Sequence, residues 1–224
     1  MTLAELLDAR WSCRAFLPEP VPRATIERLL ALAQRTASWC NAQPWKIHVL
    51  SGDAVAAARV ALPAWAAAHP PEPDLPWPSV YQGAYQARRR ACGHALYEAV
   101  GVARGDREAA DRQGARNLVF FDAPHVAIVT SDRALGVYGA IDCGAWVAAF
   151  LLAAADAGVA TIAQAALAAH PGFWRETLGL PDDRLVVCGV SFGLADRADP
   201  ANRFRNERAP LDEVVEWVDS AAGG

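Results

Sequence analysis

Leu3, Leu6 and Leu7 form an apolar stripe at helical spacing, and Thr2 and Glu5 ahead of it stand three apart in the pattern of a capping box. Pro20 and Pro22 interrupt the chain, after which Ile26, Leu29, Leu30 and Ala33 recur on one side with Glu27 and Arg28 on the other. The run Trp45 to Leu50 alternates and is rich in β-branched residues, which predicts a strand. A helix follows over Asp53 to Ala68, with Pro63 expected to kink it.

Five prolines between His69 and Pro78 exclude both regular helix and central strand, so this stretch reads as a surface excursion. Tyr81 to Val100 and Asp106 to Asn117 read as helices, and Pro124 to Thr130 as a short apolar strand. Gly139 to Ala157 is apolar on every side, the pattern of a buried helix. Thr161 to Leu167 and Leu185 to Phe192 read as strands, with a short helix over Gly172 to Leu178 between them. A brief amphipathic stretch, Leu211 to Val218, ends the pattern. Four or five strands among about seven helices give an α+β fold class, with one domain over 1–224, an excursion at 69–85 and a tail at 211–224.

Composition narrows the function classes. The 224 residues are 53% hydrophobic and 21% charged, a globular balance, and the net charge of −4 argues against a general nucleic-acid binder. Five widely spaced cysteines without a C-x-x-C pair read as reduced, buried thiols of a cytoplasmic protein. Glu5 and Asp8 fall where a signal peptide would be basic and then apolar, and the apolar run from Cys143 to Ala155 is shorter than the about 20 residues that cross a bilayer. The reading is therefore a soluble protein with no membrane partner.

Three segments carry candidate chemistry. Arg10-Trp11-Ser12-Cys13-Arg14 follows the first helix, and period-two spacing along extended chain sets Arg10, Ser12 and Arg14 on one side. Guanidinium forks match phosphate oxygens and keep their charge at any working pH, although a surface loop also carries such residues. Ser38-Trp39-Cys40-Asn41-Ala42-Gln43-Pro44-Trp45 offers amides that suit the edge of a heteroaromatic ring, or else a plain polar loop ahead of a strand. Arg205-x-x-Arg208-x-Pro210 reads either as a charged tail or as the second half of a phosphate clamp. Gly189-Val190-Ser191-Phe192-Gly193 matches the nucleophile elbow, yet no histidine follows Ser191 and no helical stripe follows Gly193, which excludes the usual hydrolase order. Metal-ligand spacings, a dinucleotide fingerprint and a phosphate-binding P-loop sequence are all missing, and the Arg88-Arg89-Arg90 run reads as a solvated helix face.

Taken together, the arginines at both ends and the middle motif resemble the FMN-dependent nitroreductase family over nearly the whole chain. The resemblance implies a central, mostly antiparallel sheet flanked by helices, in an intertwined homodimer with an FMN site at each interface. It implies that Arg10 and Ser12 bind the phosphate and that Arg14 is the cation near flavin N1 and O2. Ser38, Trp39 and Asn41 correspond to the second subunit's contribution, Gln164 and Ala165 to backbone near flavin N5, and Arg205 and Arg208 to the C-terminal clamp. Asp142-Cys143-Gly144 opens the helix that resembles the dimer helix. The implied activity is ping-pong transfer from NADH or NADPH, a transient visitor, to a nitroaromatic, quinone or similar electron-poor aromatic acceptor. No protein residue is then required as acid, base or nucleophile. A specialised flavin reaction such as enone reduction, dehalogenation or flavin fragmentation, and a non-enzymatic flavin-binding protein, are the alternatives.

The chain departs from the family pattern at Ala37, often proline, and at Trp39, often small. No middle-region residue matches those that read the flavin pyrimidine edge. Trp77, Tyr81 and Tyr85 in the excursion are candidates for a substrate lid.

Overall fold

The computed structural model describes residues 1–219 of the chain; residues 220–224 of the expected tail lie outside the described residues. In chain order the elements are α1 (Leu3–Ala9), α2 (Arg23–Ala33), β1 (Lys46–Ser51), α3 (Asp53–Ala68), α4 (Gly83–Ala99) and α5 (Arg107–Ala115). Then come β2 (His125–Asp132), α6 (Gly136–Asp156), β3 (Ala160–Gln164), α7 (Pro171–Leu178) and β4 (Arg184–Gly193). The capping box forms as its spacing predicts, with Thr2 Oγ1 accepting from the Glu5 amide and the Glu5 carboxylate accepting from the Thr2 amide.

The four strands pair in the order β1-β2-β4-β3, each neighbour antiparallel. Alternation along β2 sends Val126 and Ile128 to one face, against α3 and α7 with Leu62 and Trp174, and Ala127 and Val129 to the other, against α2 and α6 with Leu29, Trp146 and Phe150. Between Val129 and Thr130 the register against β4 skips Val187. One extra residue reverses which face a side chain meets, so Val186 belongs to the first core while Val190 and Phe192 belong to the second.

The G-x-S-x-G sequence lies in the second half of β4. Ser191 is fully buried and donates to Gln164 Oε1. A Cβ at Gly189 would overlap Leu167, and one at Gly193 would stand 2.6 Å from Pro124 Cδ. Close packing therefore explains both glycines.

Several expectations are refined. β3 ends at Gln164 and the chain turns into a 3-10 helix over Ala165–Ala168, so the strand expected to reach Leu167 is shorter. The tail forms only a 3-10 turn at Leu211–Glu213. The proline-rich excursion is pinned: Asp74 accepts two bonds from Arg175, at 2.8 and 3.0 Å, and one from the Val186 amide at 2.8 Å. Cys13 and Cys143 are buried free thiols, whereas Cys40 is exposed and Cys92 and Cys188 are half-buried.

The largest correction concerns α6. Its 21 residues make it about 31 Å long, so length alone does not separate it from a bilayer span. Gly139, Cys143, Trp146, Val147, Phe150 and Ala154 face the core. The opposite stripe of Val137, Tyr138, Ile141, Gly144, Ala145 and Ala148 is exposed, with Ile141 at 58%. The helix is apolar all round, yet within one chain only half of it is covered.

Candidate functional site

Ser12 and Cys13 meet the free edge of β3, and residues 15–17 pair with 194–196 just beyond β4. Ser12 bridges Thr161 in parallel, and the Cys13 amide donates to the Thr161 carbonyl at 2.9 Å. Asn202, 5% exposed, ties this segment to the C-terminal one. Its Oδ1 accepts from the Arg14 amide at 2.7 Å, and its Nδ2 donates to the carbonyls of Ala15 and Asp196 at 2.8 and 2.7 Å. A buried amide with three partners satisfied fixes the relation of two segments 188 positions apart.

That knot brings Arg10, Ser12 and Arg14 into one cleft of about 210 Å³ with Arg205 and Arg208. The Arg205 guanidinium lies 4.2 Å over the Trp11 ring, and Arg14 lies 5.1 Å from the Phe204 ring centroid. Arg14, Arg205 and Arg208 donate only to backbone carbonyls, and among the described residues none of the four arginines forms an ion pair. Burial, and then the charge of Arg208, lowers the pKa of Arg10; burial also lowers those of Arg14 and Arg205. Four arginines against the single exposed carboxylate of Asp8 in the same lining leave a cluster of part-desolvated cations that favours an anion by electrostatics.

Arg14 also lines a second cavity, of about 310 Å³, which continues from the first. Gln164 and Ala165, Gln113, Asn117 and Tyr97 form its walls. The Gln164 amide is held by its neighbours, donating to Asn117 O and Oδ1 of the same wall at 3.1 and 3.2 Å and accepting from buried Ser191. Gln113 Nε2 is buried and has no hydrogen-bond partner. An orphaned buried donor costs about 1–3 kcal/mol, so its place in this wall marks where a ligand acceptor belongs.

Gln113 and Asn117 were missed from sequence. They sit four apart at the end of α5, a spacing that puts them on one side, yet amides in a helix full of charges read as solvent-facing. A second signal was the apolar pair Phe120-Phe121 just beyond them. Phe120, Phe121 and Asp122 all adopt positive φ (60°, 52° and 64°), and Phe121 closes the cavity floor. Strain of this kind collects at functional sites.

The middle motif stands elsewhere. Ser38 Oγ accepts from the Gln43 amide at 2.9 Å, and Cys40, Asn41 and Gln43 have positive φ, so the turn is shaped in advance. Trp39 is 59% exposed, packs edge-on against Tyr138 at 4.4 Å and donates its amide to Asp142 Oδ2 at 3.1 Å. Within one chain Ser38, Trp39 and Asn41 do not reach the arginine cleft; they stand at the N-terminal end of the uncovered α6 stripe. Trp77, Tyr81 and Tyr85 of the expected lid also line neither the arginine cleft nor the cavity beyond Arg14.

Comparison with known proteins bears on this geometry. Residues 7–194 match the model of the Nitroreductase family. A 4-nitrobenzoate reductase of Nocardioides sp. (strain LMS-CY) is 34% identical over 219 residues, covering 95% of this chain and 88% of the relative. The crystal structure of an FMN- and NADPH-dependent nitroreductase from Sphigopyxis sp. strain HMH superposes with a TM-score of 0.94 at 32% identity, covering 98% of this chain and all of that one. An FMN-dependent nitroreductase of Mycobacterium smegmatis, in complex with NADPH, superposes with a TM-score of 0.91 at 32% identity, covering 96% and 97%.

Proposed function

Since this chain belongs to the nitroreductase family, we propose that it is an FMN-dependent NAD(P)H oxidoreductase reducing nitroaromatics, quinones or similar electron-poor acceptors. The observation that carries the reading is the meeting of Arg10, Ser12, Arg14, Arg205 and Arg208 in one cleft that opens, through Arg14, into a ring-sized cavity. The residues present fit FMN. The cation cluster lacks an anion, and the buried Gln113 amide lacks an acceptor.

FMN, when bound, supplies the atoms that take up and return hydride. Arg10, Ser12, Arg205 and Arg208 would hold its phosphate, the three arginines being unopposed by any ion pair among the described residues. Arg14 holds a fixed positive charge beside the pyrimidine edge, where reduction builds negative charge. Gln113 Nε2 would be the donor toward that edge, and Gln164 and Ala165 in the same wall would border the ring. The Gln164 side chain is a positioning group, locking that backbone through Asn117 and Ser191.

The α6 stripe supports a homodimer with sites at the seam. The 38–41 loop sits at its N-terminal end, held by Asp142 and Tyr138, and the arginine segment at its C-terminal end, where Met1 meets Asp156 at 3.6 Å. Antiparallel pairing of two copies of the stripe carries the Ser38, Trp39 and Asn41 loop of one to the arginine cleft of the other. Five free thiols fit a reducing cytoplasm.

The test is an absorbance spectrum of the purified protein followed by steady-state NADPH and NADH oxidation with menadione or a nitrobenzoate. Bound flavin with turnover is expected. Flavin that neither nicotinamide reduces would instead favour a binding protein, and a colourless preparation that ignores added FMN ends the reading.

A further inference from the structure

A cavity of about 550 Å³ lies between the end of α4 and the start of α5. It shares the Tyr97 wall with the ring cavity. One face of α5 lines both: Arg107 and Ala110 border the large cavity, and Gln113 and Gly114, one turn further on, border the ring cavity. Residues three, six and seven apart share a helix face, so the two cavities lie end to end along it over about 9 Å.

The chemistry of the outer part differs from that of the inner. Tyr97, Val102, Ala103 and Ala110 give it apolar walls. Its formal charges balance, with Arg104 and Arg107 against Glu98 and Asp106, and Asp106 also caps α5 by accepting from the Ala109 amide. A lining of balanced charge and small apolar side chains has no preference for an anion. It gains by burying hydrocarbon.

From this juxtaposition we infer that the α4–α5 cavity is an acceptor subsite for an uncharged, apolar arm carried by the electron-poor ring that the protein reduces. The assignment rests on the flavin reading above, because the ring cavity gives the arm its starting point. It makes the favoured acceptor a neutral, alkyl-substituted nitroarene or quinone and disfavours one bearing a carboxylate at that position. Ala110 and Ala103 set the depth of the subsite, since neither lines the ring cavity.

Flavin-loaded protein is assayed with nitrobenzene, 4-hexylnitrobenzene and 4-nitrobenzoate, and binding of the non-reducible 4-hexylbenzamide is measured by calorimetry. Each buried methylene is expected to raise kcat/KM roughly three- to fourfold, with 4-hexylbenzamide binding correspondingly tighter than benzamide. Ala110→Trp, and separately the loop variant Ala103→Trp, remove the gain for the hexyl compounds while leaving nitrobenzene turnover and flavin content unchanged. Equal rates for nitrobenzene and its hexyl derivative, or a gain that survives both tryptophans, overturn the subsite. If the protein stays colourless with added FMN and reduces neither nitroarene nor menadione, the flavin reading fails, and the benzamide titration of wild type and variants still decides the cavity.

Discussion

The arginine cleft and the 38–43 loop are both shaped before any ligand arrives, but they are unfinished in opposite ways. The cleft has its cations, brought from both termini, and lacks only an anion. The loop has its backbone already bent into three left-handed residues, with Trp39 fixed against Tyr138, yet it lines no part of the arginine cleft of its own chain. In the proposed homodimer one waits for a small molecule and the other for a second copy of the protein. A site divided in this way would link cofactor retention to association.

That contrast can be broken from either side. Ile141→Asp sets a carboxylate in the centre of the α6 stripe, and burying an unpaired charge costs several kcal/mol. Sedimentation is expected to show a monomer, and the monomer is expected to lose flavin although every arginine is in place; a flavin-retaining monomer would make the cleft sufficient alone. Arg208→Ala removes one charge-assisted contact, about 1.5–3 kcal/mol, so FMN should bind roughly ten- to 150-fold more weakly in a fluorescence titration. Arg23→Ala, an exposed residue paired with Glu27 at 2.8 Å, leaves affinity unchanged. Because Arg208 repels Arg10, apo Arg208→Ala is expected to keep its melting temperature, separating binding from folding. Gln113→Leu should weaken FMN roughly two- to tenfold, the range of one neutral hydrogen bond, and no change would leave that amide without a role.

The smallest effect comes from the scaffold. His125 Nε2 accepts from the Val21 amide at 2.9 Å, so its proton sits on Nδ1, 2.6 Å from Ser51 Oγ. Burial lowers the pKa of His125, and burial first also lowers those of His48 and His170. As pH falls below about 6.5 the unfolded chain takes up protons that the folded one resists, so stability present above that pH is lost on acidification. Apo protein is expected to melt at a lower temperature at pH 5.5 than at 7.5, while guanidiniums stay charged throughout. An unchanged melting temperature would refute the assignment.

Sequence was informative where a property is local. The bounds of α3 follow from apolar spacing, the existence of α6 from its unbroken apolar run, and the terminal arginines announced themselves by type and position. What it hid depends on partners distant in the chain. Gln113 looks solvated until Tyr97 and Gln164 close around it. The uncovered side of α6 has the same composition as the covered one, so periodicity alone could not tell sheet from solvent. Val187, the extra residue that flips the faces of β4, resembles any other valine until its register with β2 is known. Asp74 looked like one more polar residue among prolines, and only Arg175 and the Val186 amide make it an anchor.

Asn202 has a consequence in time as well as in space. While the polypeptide is still emerging from a ribosome, Arg10 and Arg14 are exposed early, but the residue that seats them and the two that complete their charge are translated more than 180 codons later. Contacts this remote are made late. A truncated product ending before Asn202 would carry both sheet cores and only half of the proposed grip.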